Sequence, residues 1–411
     1  MQAAVVAAGA AARALLATST ALSTALATRN ELATPLASFA RLREGHHLAT
    51  RLVPPLNPYD AGAFHHPPLV LALAGPLAAA PPWASLAAWT AADLVAACAL
   101  ARIAASRRRS SGAAVAALYL FHPFTVATTL ARSTSTFSNL LLALALHSAL
   151  DGSLVTAAFH LSLATHLSLH PLLLLPPLIL LAHQSLAKRT PSKPVSLLAS
   201  AAEGTIAFAL HQAVLLGGSR WFTGSWTFLG SVYGVILTVP DLTPNIGLTW
   251  YFFVEMFDHF RAFFLVVFAL HPVVYVAPLT IFYRDDPLFA ATLLVGAIAL
   301  LKSYPTLGDW GLWHALLACY SELLPHVSTP LFHFLLPVYA LALLPSFSHL
   351  WLASNAGNAN FYYAATLVWA VAMGGWALEA MRARGRSQAL TRLGADARRK
   401  VAAGEWVVVQ R

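Results

Sequence analysis

Polar side chains that could do chemistry gather in one short stretch, Val239–Phe260, beside otherwise apolar sequence. Asp241, Thr243 and Asn245 alternate with prolines and precede Gly247. This composition is typical of a turn, because proline fixes φ while Asn and Asp bond to the local backbone. An acidic group at the edge of an apolar segment is costly unless it has a partner. The stretch therefore predicts either a self-satisfied structural turn or a site for a polar ligand.

Aromatic side chains follow directly in the run Trp250–Phe253, and Glu255 and Asp258 come next on an expected helix. Tryptophan and tyrosine are enriched where a helix meets the bilayer surface. We therefore expect Trp250 and Tyr251 to be interfacial anchors.

Three further polar clusters lie at the ends of apolar segments. Each admits a plain structural explanation: a solvated loop, a proline turn or, for asparagines before a helix, an N-cap. By the order of the predicted spans, the clusters at Lys302–Trp310 and Ser354–Tyr363 are expected to lie on the same face of the membrane as the first, where their carboxylate, amide and aromatic groups suit a carbohydrate or phosphate head group. The clusters are Asp60 with His65 and His66; Lys302–Trp310, which includes Tyr304 and Asp309; and Ser354–Tyr363, which includes Asn358 and Asn360.

The sequence lacks several motifs of common catalytic sites. It contains no Walker loop, no HExxH and no GxSxG. Its two cysteines, Cys98 and Cys319, lie in apolar stretches, which argues against a thiol nucleophile, a disulfide framework or a cysteine metal site. We expect no metal site and no cofactor.

Composition places these clusters in a membrane protein. Apolar residues make up 58% of the 411 residues and charged residues only 10%, against about 25% charged residues in soluble domains. The formal charge of +9 comes from basic residues in a few loops and the C-terminal tail. Such a distribution reports membrane topology rather than nucleic-acid binding. We predict an all-α membrane helix bundle, 1–411, in contact with membrane lipids and not with nucleic acid.

Basic loops predict the orientation, because Lys and Arg are enriched on the cytosolic side. Arg102 with Arg107–Arg109, then Lys188–Lys193, then Arg284 and the tail 382–411 would be cytosolic. Both termini would then be cytosolic, and the segments 28–83 and 217–255 would be lumenal.

The apolar runs predict about twelve membrane-spanning helices. The first, 2–27, resembles a signal peptide but is long enough to be retained as a helix. The run Leu69–Ala80, broken by Gly75-Pro76, is too short for a span and is expected to be re-entrant or interfacial. The predicted spans lie near 2–27, 84–105, 113–131, 137–150, 153–168, 170–186, 195–216, 256–282, 287–302, 311–325, 330–345 and 361–381.

Five motifs in this chain resemble the PIG-U family, the multi-spanning subunit of the glycosylphosphatidylinositol (GPI) transamidase. The motif PDLTPNIGLTWYFFVEMFDHF is the most specific of them, and together the five extend over nearly the whole chain. They are Pro35–Gly45, Asn57–Leu69, Pro240–Phe260, Lys302–Trp310 and Asn358–Ala364.

The resemblance implies a multi-pass protein of the endoplasmic reticulum membrane. Its fold would be similar to the lipid-linked (GT-C-type) glycosyltransferases, yet the subunit would be non-catalytic and would help to recognise and hold the GPI lipid. The implied partner subunits are PIG-T, PIG-K, a GPAA-type subunit and PIG-S, with the chemistry in a separate Cys-protease-like subunit. Under this interpretation we expect the lipid contacts to be Asp241, Thr243, Asn245, Trp250, Tyr251, Glu255, Asn358 and Asn360, with Asp60, His65, Tyr304 and Asp309 as further lumenal candidates.

Two other classes of function stay open at this stage. An endoplasmic-reticulum mannosyltransferase that uses dolichol-phosphate-mannose would need an acidic base, and Asp60 could serve. A transporter would also suit broken helices beside a polar site, although the sequence has no convincing internal repeat.

Overall fold

Helices make up all the regular structure in the residues that the computed structural model describes, which are 1–60, 62–107, 110–192 and 195–405; no strand occurs in these ranges. The prediction of an all-α protein is therefore confirmed. Arg108, Arg109 and Lys193, which entered the topology prediction, lie outside the described residues. The chain divides into two compact units, Met1–Cys319 and Tyr320–Arg411.

Most of the helices follow one another closely, and the longer connections are 28–38, 51–67 and 239–248. In the first unit they are α1 (Gln2–Ala17), α2 (Thr20–Ala27), α3 (Phe39–Thr50), α4 (Pro68–Ala79), α5 (Pro82–Ser106), α6 (Gly112–Phe121), α7 (Pro123–Leu130), α8 (Ser135–Leu150), α9 (Leu154–Leu167), α10 (Leu175–Arg189), α11 (Leu197–Thr223), α12 (Val235–Thr238), α13 (Thr249–Val254), α14 (Asp258–Val274), α15 (Val276–Phe282), α16 (Pro287–Leu301) and α17 (Leu307–Ala318). A 3₁₀-helix (His170–Leu174) leads into α10, and a π-helix (Gly230–Gly234) leads into α12. In the second unit they are a 3₁₀-helix (Ser321–His326), α18 (Pro330–Leu352), α19 (Ala359–Arg392) and α20 (Ala395–Ala402).

Six helical stretches in the described residues are long and apolar enough to cross a membrane: α5, His170–Arg189, α11, Asp258–Phe282, α18 and α19. The number rises to eight if the bent pairs α1–α2 and α6–α7 each form one span. Helices α8, α9 and α16 are apolar but have 16, 14 and 15 residues, or about 21–24 Å, against a hydrocarbon core of about 30 Å. A multi-pass protein is supported, and the count of twelve spans stays a prediction.

The first predicted span, 2–27, is not one straight helix. Helices α1 and α2 meet at an angle of 93°. Ser19 adopts an extended backbone, and its side chain accepts a hydrogen bond from the amide of Leu22, so it caps a new helix. Capping at Ser19 is the local reason for the bend.

The predicted span 113–131 is also broken, by 52° between α6 and α7. Pro123 has no amide hydrogen and pushes His122 into an extended conformation, which ends α6. Nδ1 of His122 then accepts from the amide of Phe124 (3.2 Å) and caps α7. The break leaves helix carbonyls without their usual partners, and the Thr125 hydroxyl donates to one of them, on Tyr119.

A buried ion pair fastens α1 to the middle of the first unit. Arg13 is 0% exposed and Asp93, on α5, is 1% exposed. Nη2 and Nε of Arg13 lie 2.8 and 3.1 Å from Oδ2 of Asp93, and Nη1 donates to the carbonyl of Leu120 at the α6 break (2.9 Å). Hydroxyls of Tyr119 and Thr129 also donate to Asp93. The charge of Arg13 is thus fully paired inside the bundle.

Helix α16 is buried along most of its length, between α10 and α17. A Cβ on its Gly296 would lie 2.4 Å from Nε1 of Trp313, so only glycine permits this approach to α17. Asp286 caps the start of α16, and Lys302 follows its end. At 1.5 Å per residue these two charged positions stand about 24 Å apart along the axis.

Several predicted boundaries are corrected by the structure. Helix α4 runs through Pro76, where a break was expected, and its Gly75 packs closely against His46 of α3. Part of the motif Lys302–Trp310 is helical, since α17 begins at Leu307. Helix α19 continues to Arg392, well into the expected tail 382–411.

The second unit contains a polar cluster of its own. Glu379 on α19 is 2% exposed and accepts hydrogen bonds from the amide and hydroxyl of Ser328, at 2.7 and 2.9 Å. Nη1 of Arg386 lies 3.0 Å from the same carboxylate oxygen. These bonds join the segment before α18 to α19.

Candidate functional site

Three of the predicted polar loops of the first unit meet around the carboxylate of Asp241. Nη2 of Arg41, on α3, lies 2.8 Å from Oδ2 of Asp241, and Nε2 of His65 lies 3.7 Å from the same oxygen. The amide of Thr243 donates to Oδ1 (3.0 Å), as does its hydroxyl (2.5 Å). The phenol of Tyr304 donates to the backbone carbonyl of Asp241 (2.8 Å). We call this junction of loops the motif end.

Electrostatics at the motif end keep Asp241 ionised. Burial would raise the pKa of Asp241, but the facing His65 ring, the Thr243 donors and the Arg41 charge outweigh it and hold that pKa well below its usual range. Burial lowers the pKa of the neighbouring His66 to about 4, so His66 is neutral and donates from Nε2 to the carbonyl of Ser38 (3.0 Å). Asp241 is therefore a charged group whose charge is already paired.

The loops that carry Asp241 and Tyr304 are also joined through their backbones. The hydroxyl of Ser303 donates to the carbonyl of Ile236 (2.9 Å), and the hydroxyl of Thr249 donates to the carbonyl of Ser303 (2.8 Å). A Cβ on Gly247 would lie 2.7 Å from Cδ of Pro305, so glycine allows the two loops to touch. These contacts confirm the predicted convergence of the cluster around Asp241 with the cluster Lys302–Trp310.

Asp309 begins α17 through a capping box. Its Oδ2 accepts from the amide and the hydroxyl of Thr306, at 2.7 and 3.1 Å. Its Oδ1 accepts from Nζ of Lys302 at 2.7 Å. Asp309 thus has a structural role, and it keeps the Lys302 ammonium at the motif end.

Two adjoining cavities of about 40 Å³ each open beside Lys302 and Asp309. Ser138 and Ser168 line both of them. Each cavity has room for ordered water, which needs about 10–15 Å³. Thr34 lines the second cavity; it is 0% exposed, and its hydroxyl has no hydrogen-bond partner among the described residues. A buried hydroxyl without a partner is costly, so the cavity is suited to a polar guest.

Three other residues of this region that were predicted to contact the lipid have different surroundings. Asn245 is 0% exposed, and its amide bonds to the carbonyl of Thr243 and the amide of Gly247, as in a satisfied turn. Trp250 is 2% exposed, which corrects its expected role as an interfacial anchor, because an indole enclosed by protein cannot reach a bilayer surface. Glu255 is exposed and ends α13.

The remaining predicted residues lie apart from the Asp241 junction or in the second unit. Asp60 is exposed and accepts from the side-chain amide of Asn57 (3.0 Å). Tyr251 sits on α13, and a hydrogen bond to Glu255 raises its pKa. Asp258 starts α14, so it does not share a helix with Glu255 as expected.

Asn358 and Asn360 belong to the second unit. Oδ1 of Asn358 accepts from the amide of Asn360 (3.1 Å) and caps α19, and both side chains are exposed. The N-cap explanation of Asn358 therefore holds. Its expected contact with a lipid stays a prediction.

Basic residues gather at the opposite end of α16. Arg107 after α5 lies 3.3 Å from Asp286, and the side chain of Gln184 on α10 donates to the carbonyl of Arg284 (2.6 Å). We call this the basic end. Two of the loops expected on the cytosolic side, around Arg107 and Arg284, thus lie at this end of α16. Three of the loops expected on the lumenal side, around His65, Asp241 and Tyr304, meet at the other end.

Arg41, Lys302 and Thr34 complete the motif end, yet they were not among the predicted contacts. Arg41 and Lys302 stand inside recognisable motifs, but their acidic partners could not be paired from the sequence. Within the described residues, no group of three or more His, Cys, Asp or Glu side chains could hold a metal ion.

A multi-pass helical membrane protein with paired polar loops at one end is the class that these features define. The chain belongs to the PIG-U family: the family described as GPI transamidase subunit PIG-U matches residues 7–369. It is similar to the GPI-anchor transamidase component PIGU of Mus musculus, with 34% identity over 257 residues, 62% of this chain and 59% of the mouse protein.

Two fungal relatives match over more of their length. The GPI transamidase component GAB1 of Saccharomyces cerevisiae is 34% identical over 346 residues, 84% of each chain. The GAB1 homolog of Schizosaccharomyces pombe is 30% identical over 355 residues, again 84% of each chain.

Proposed function

We propose that this chain is a non-catalytic subunit of the GPI transamidase of the endoplasmic reticulum membrane, and that it holds the GPI lipid with the polar head group at the motif end. The proposal rests on the family and on one observation. Four of the five family motifs contribute to a single junction, in which Asp241 pairs with Arg41 and Asp309 pairs with Lys302. A junction of paired charges suits recognition better than proton transfer.

The chemistry of the motif end fits such a ligand. A GPI head group carries phosphates and sugar hydroxyls, which need cations, hydroxyls and amides. Lys302 supplies an ammonium, and the buried Thr34 hydroxyl supplies a donor without another partner. Apolar helices such as Asp258–Phe282, of which only 6% is buried within the protein, would face acyl chains or neighbouring subunits.

The finer parts of the proposal come from the resemblance. The partners would be PIG-T, PIG-K, a GPAA-type subunit and PIG-S, and both termini would be cytosolic. The bundle would have about twelve spans and would resemble the GT-C-type glycosyltransferases. The mannosyltransferase alternative has less support, since the relatives are named as transamidase components and Asp60 is an exposed residue that is hydrogen-bonded to Asn57.

Exchange of Lys302 for glutamine tests the head-group role. Lys302→Gln leaves the capping box of Asp309 with Thr306 in place, so the fold and assembly should survive. In cells that lack their own subunit, we expect this variant to co-purify with transamidase subunits yet to restore a GPI-anchored surface reporter several-fold less well than the unaltered chain.

The matched control is Lys188→Gln, an exposed lysine at the basic end. We expect it to behave like the unaltered chain in both measurements. Full reporter display with Lys302→Gln would refute the head-group role. Purification of the chain alone, with dolichol-phosphate sugar bound, would refute the subunit assignment itself.

A further inference from the structure

An apolar groove runs between α5 and α8, away from the motif end. Its volume is about 240 Å³, and it is lined by Leu94, Val95, Cys98, Ala99, Arg102, Leu144 and His147. The α5 residues recur at helical spacing on one face, and Val95 is 47% exposed, so the groove opens sideways. The basic side chains in its lining, Arg102 and His147, come from the same end of the two helices.

The end of the groove at Arg102 and His147 carries one surplus positive charge. Nη1 of Arg102 lies 3.3 Å from Nε2 of His147. A guanidinium can only donate, so Nε2 accepts, and Nδ1 of His147 carries the hydrogen toward Oδ2 of Asp151 (3.5 Å). The charge of Asp151 is matched by Arg189 at 2.8 Å. Arg102 is thus left without an acidic partner among the described residues.

The dimensions of the groove favour a hydrocarbon chain over a protein helix. From Leu94 to Arg102 the helix rises about 12 Å, so a volume of about 240 Å³ corresponds to a cross-section of about 20 Å². An α-helix with its side chains is about 10–12 Å wide, or about 80–110 Å² in section. A single acyl chain fits inside this section, whereas a whole α-helix could only lie across the open side of the groove.

We propose that the α5–α8 groove binds an anionic phospholipid, with one acyl chain along the groove and the phosphate against Arg102 and His147. Basic pockets between membrane helices suit anionic head groups. The placement at the basic end puts the phosphate at a membrane surface, because Arg102 lies one turn before the end of α5. This ligand is separate from the GPI lipid, whose head group is assigned to the other end of α16.

The test measures which lipids stay bound to the full-length chain. The protein is reconstituted in nanodiscs of equal parts dioleoylphosphatidylserine and dioleoylphosphatidylcholine, extracted again in mild detergent, and examined by native mass spectrometry. We expect the unaltered chain to retain phosphatidylserine in preference to phosphatidylcholine. Arg102→Gln should lower that preference about fivefold, since a basic residue near the surface contributes about that factor.

Three variants separate the parts of the proposal. Arg102→Lys should keep most of the preference, because the charge remains. Cys98→Phe fills the groove without a change of charge and should reduce retention of both lipids. Arg220→Gln, a basic residue in the last turn of α11 away from the groove, is the control and should change nothing.

Two results would overturn the proposal. One is an equal lipid ratio in the unaltered chain and Arg102→Gln. The other is a cross-link from a photoreactive residue at position Val95 to a polypeptide, rather than to lipid, in the assembled complex. Neither result bears on the Lys302 experiment, so failure here is distinguishable from failure of the proposed function.

Discussion

The ion pair between Arg13 and Asp93 should dominate the stability of the first unit. Arg13→Met removes the counter-charge and leaves Asp93 with only hydroxyl donors. Loss of one partner of a buried ion pair costs about 3–5 kcal/mol, because the remaining charge stays buried. We expect Asp93→Leu alone to cost a similar amount, since the guanidinium would then be left beside the carbonyl of Leu120.

The double variant Arg13→Met/Asp93→Leu should be less harmful than either single change. Apolar replacements of a buried pair are often nearly neutral. Here the Leu120 carbonyl and the hydroxyls of Tyr119 and Thr129 would lose a partner, so about 1–3 kcal/mol should remain. The expected coupling energy between the two positions is therefore at least about 3 kcal/mol.

The assay is the unfolding free energy of the full chain in lipid bicelles, measured for the complete double-mutant cycle. Arg189→Met is the control, because Arg189 and Asp151 form an exposed pair, 57% and 48% accessible, and such pairs contribute at most about 1 kcal/mol. Additive single and double variants, with a coupling below about 0.5 kcal/mol, would refute the reasoning.

Three further predictions concern single residues outside this ion pair. Asp241→Asn should reduce the fall of the unfolding free energy at acidic pH. The native pKa of Asp241 lies below its unfolded value near 4, so the contribution of this carboxylate to stability is present at neutral pH and is lost as the pH falls below about 4. Unfolding followed from pH 7 to pH 3 checks this, and parallel curves would contradict it. Gly45→Ala should cost about 1–3 kcal/mol, since the new Cβ would lie 2.2 Å from Phe64; an unchanged melting temperature would count against the packing described. Asp60→Ala should leave GPI attachment to a surface reporter intact in complemented cells, and loss of attachment would revive the mannosyltransferase hypothesis.

Local structure in two of the polar clusters was predictable from the sequence. The turn around Asp241 followed from its prolines and short polar side chains, and the structure forms it through the bond from the Thr243 amide to Asp241. The N-cap role of Asn358 followed from its place before an apolar helix. In both cases the partners are neighbours in sequence, so composition alone is informative.

Contacts between residues that are far apart in the chain could not be predicted from the sequence. Nothing in the apolar run 2–27 indicates that Arg13 meets Asp93, or that Asp241 meets Arg41, because such contacts depend on how helices pack. The bend at Pro123 was readable in principle, since proline at that position forbids a continuous hydrogen-bond ladder. The prediction of a span near 113–131 rested on hydropathy and did not place the break.

The burial of α16 has a consequence for how the protein is made. Its residues 287–301 leave the ribosome long after α10, against which α16 packs in the finished fold. At about 5–20 residues per second, the interval between the end of α10 and the end of α16 is on the order of ten seconds. Throughout that time the face of α10 that receives α16 is without its native neighbour. Something else, lipid or the insertion machinery, must cover it, so the nascent chain passes through a stage in which the central position of the bundle is held open.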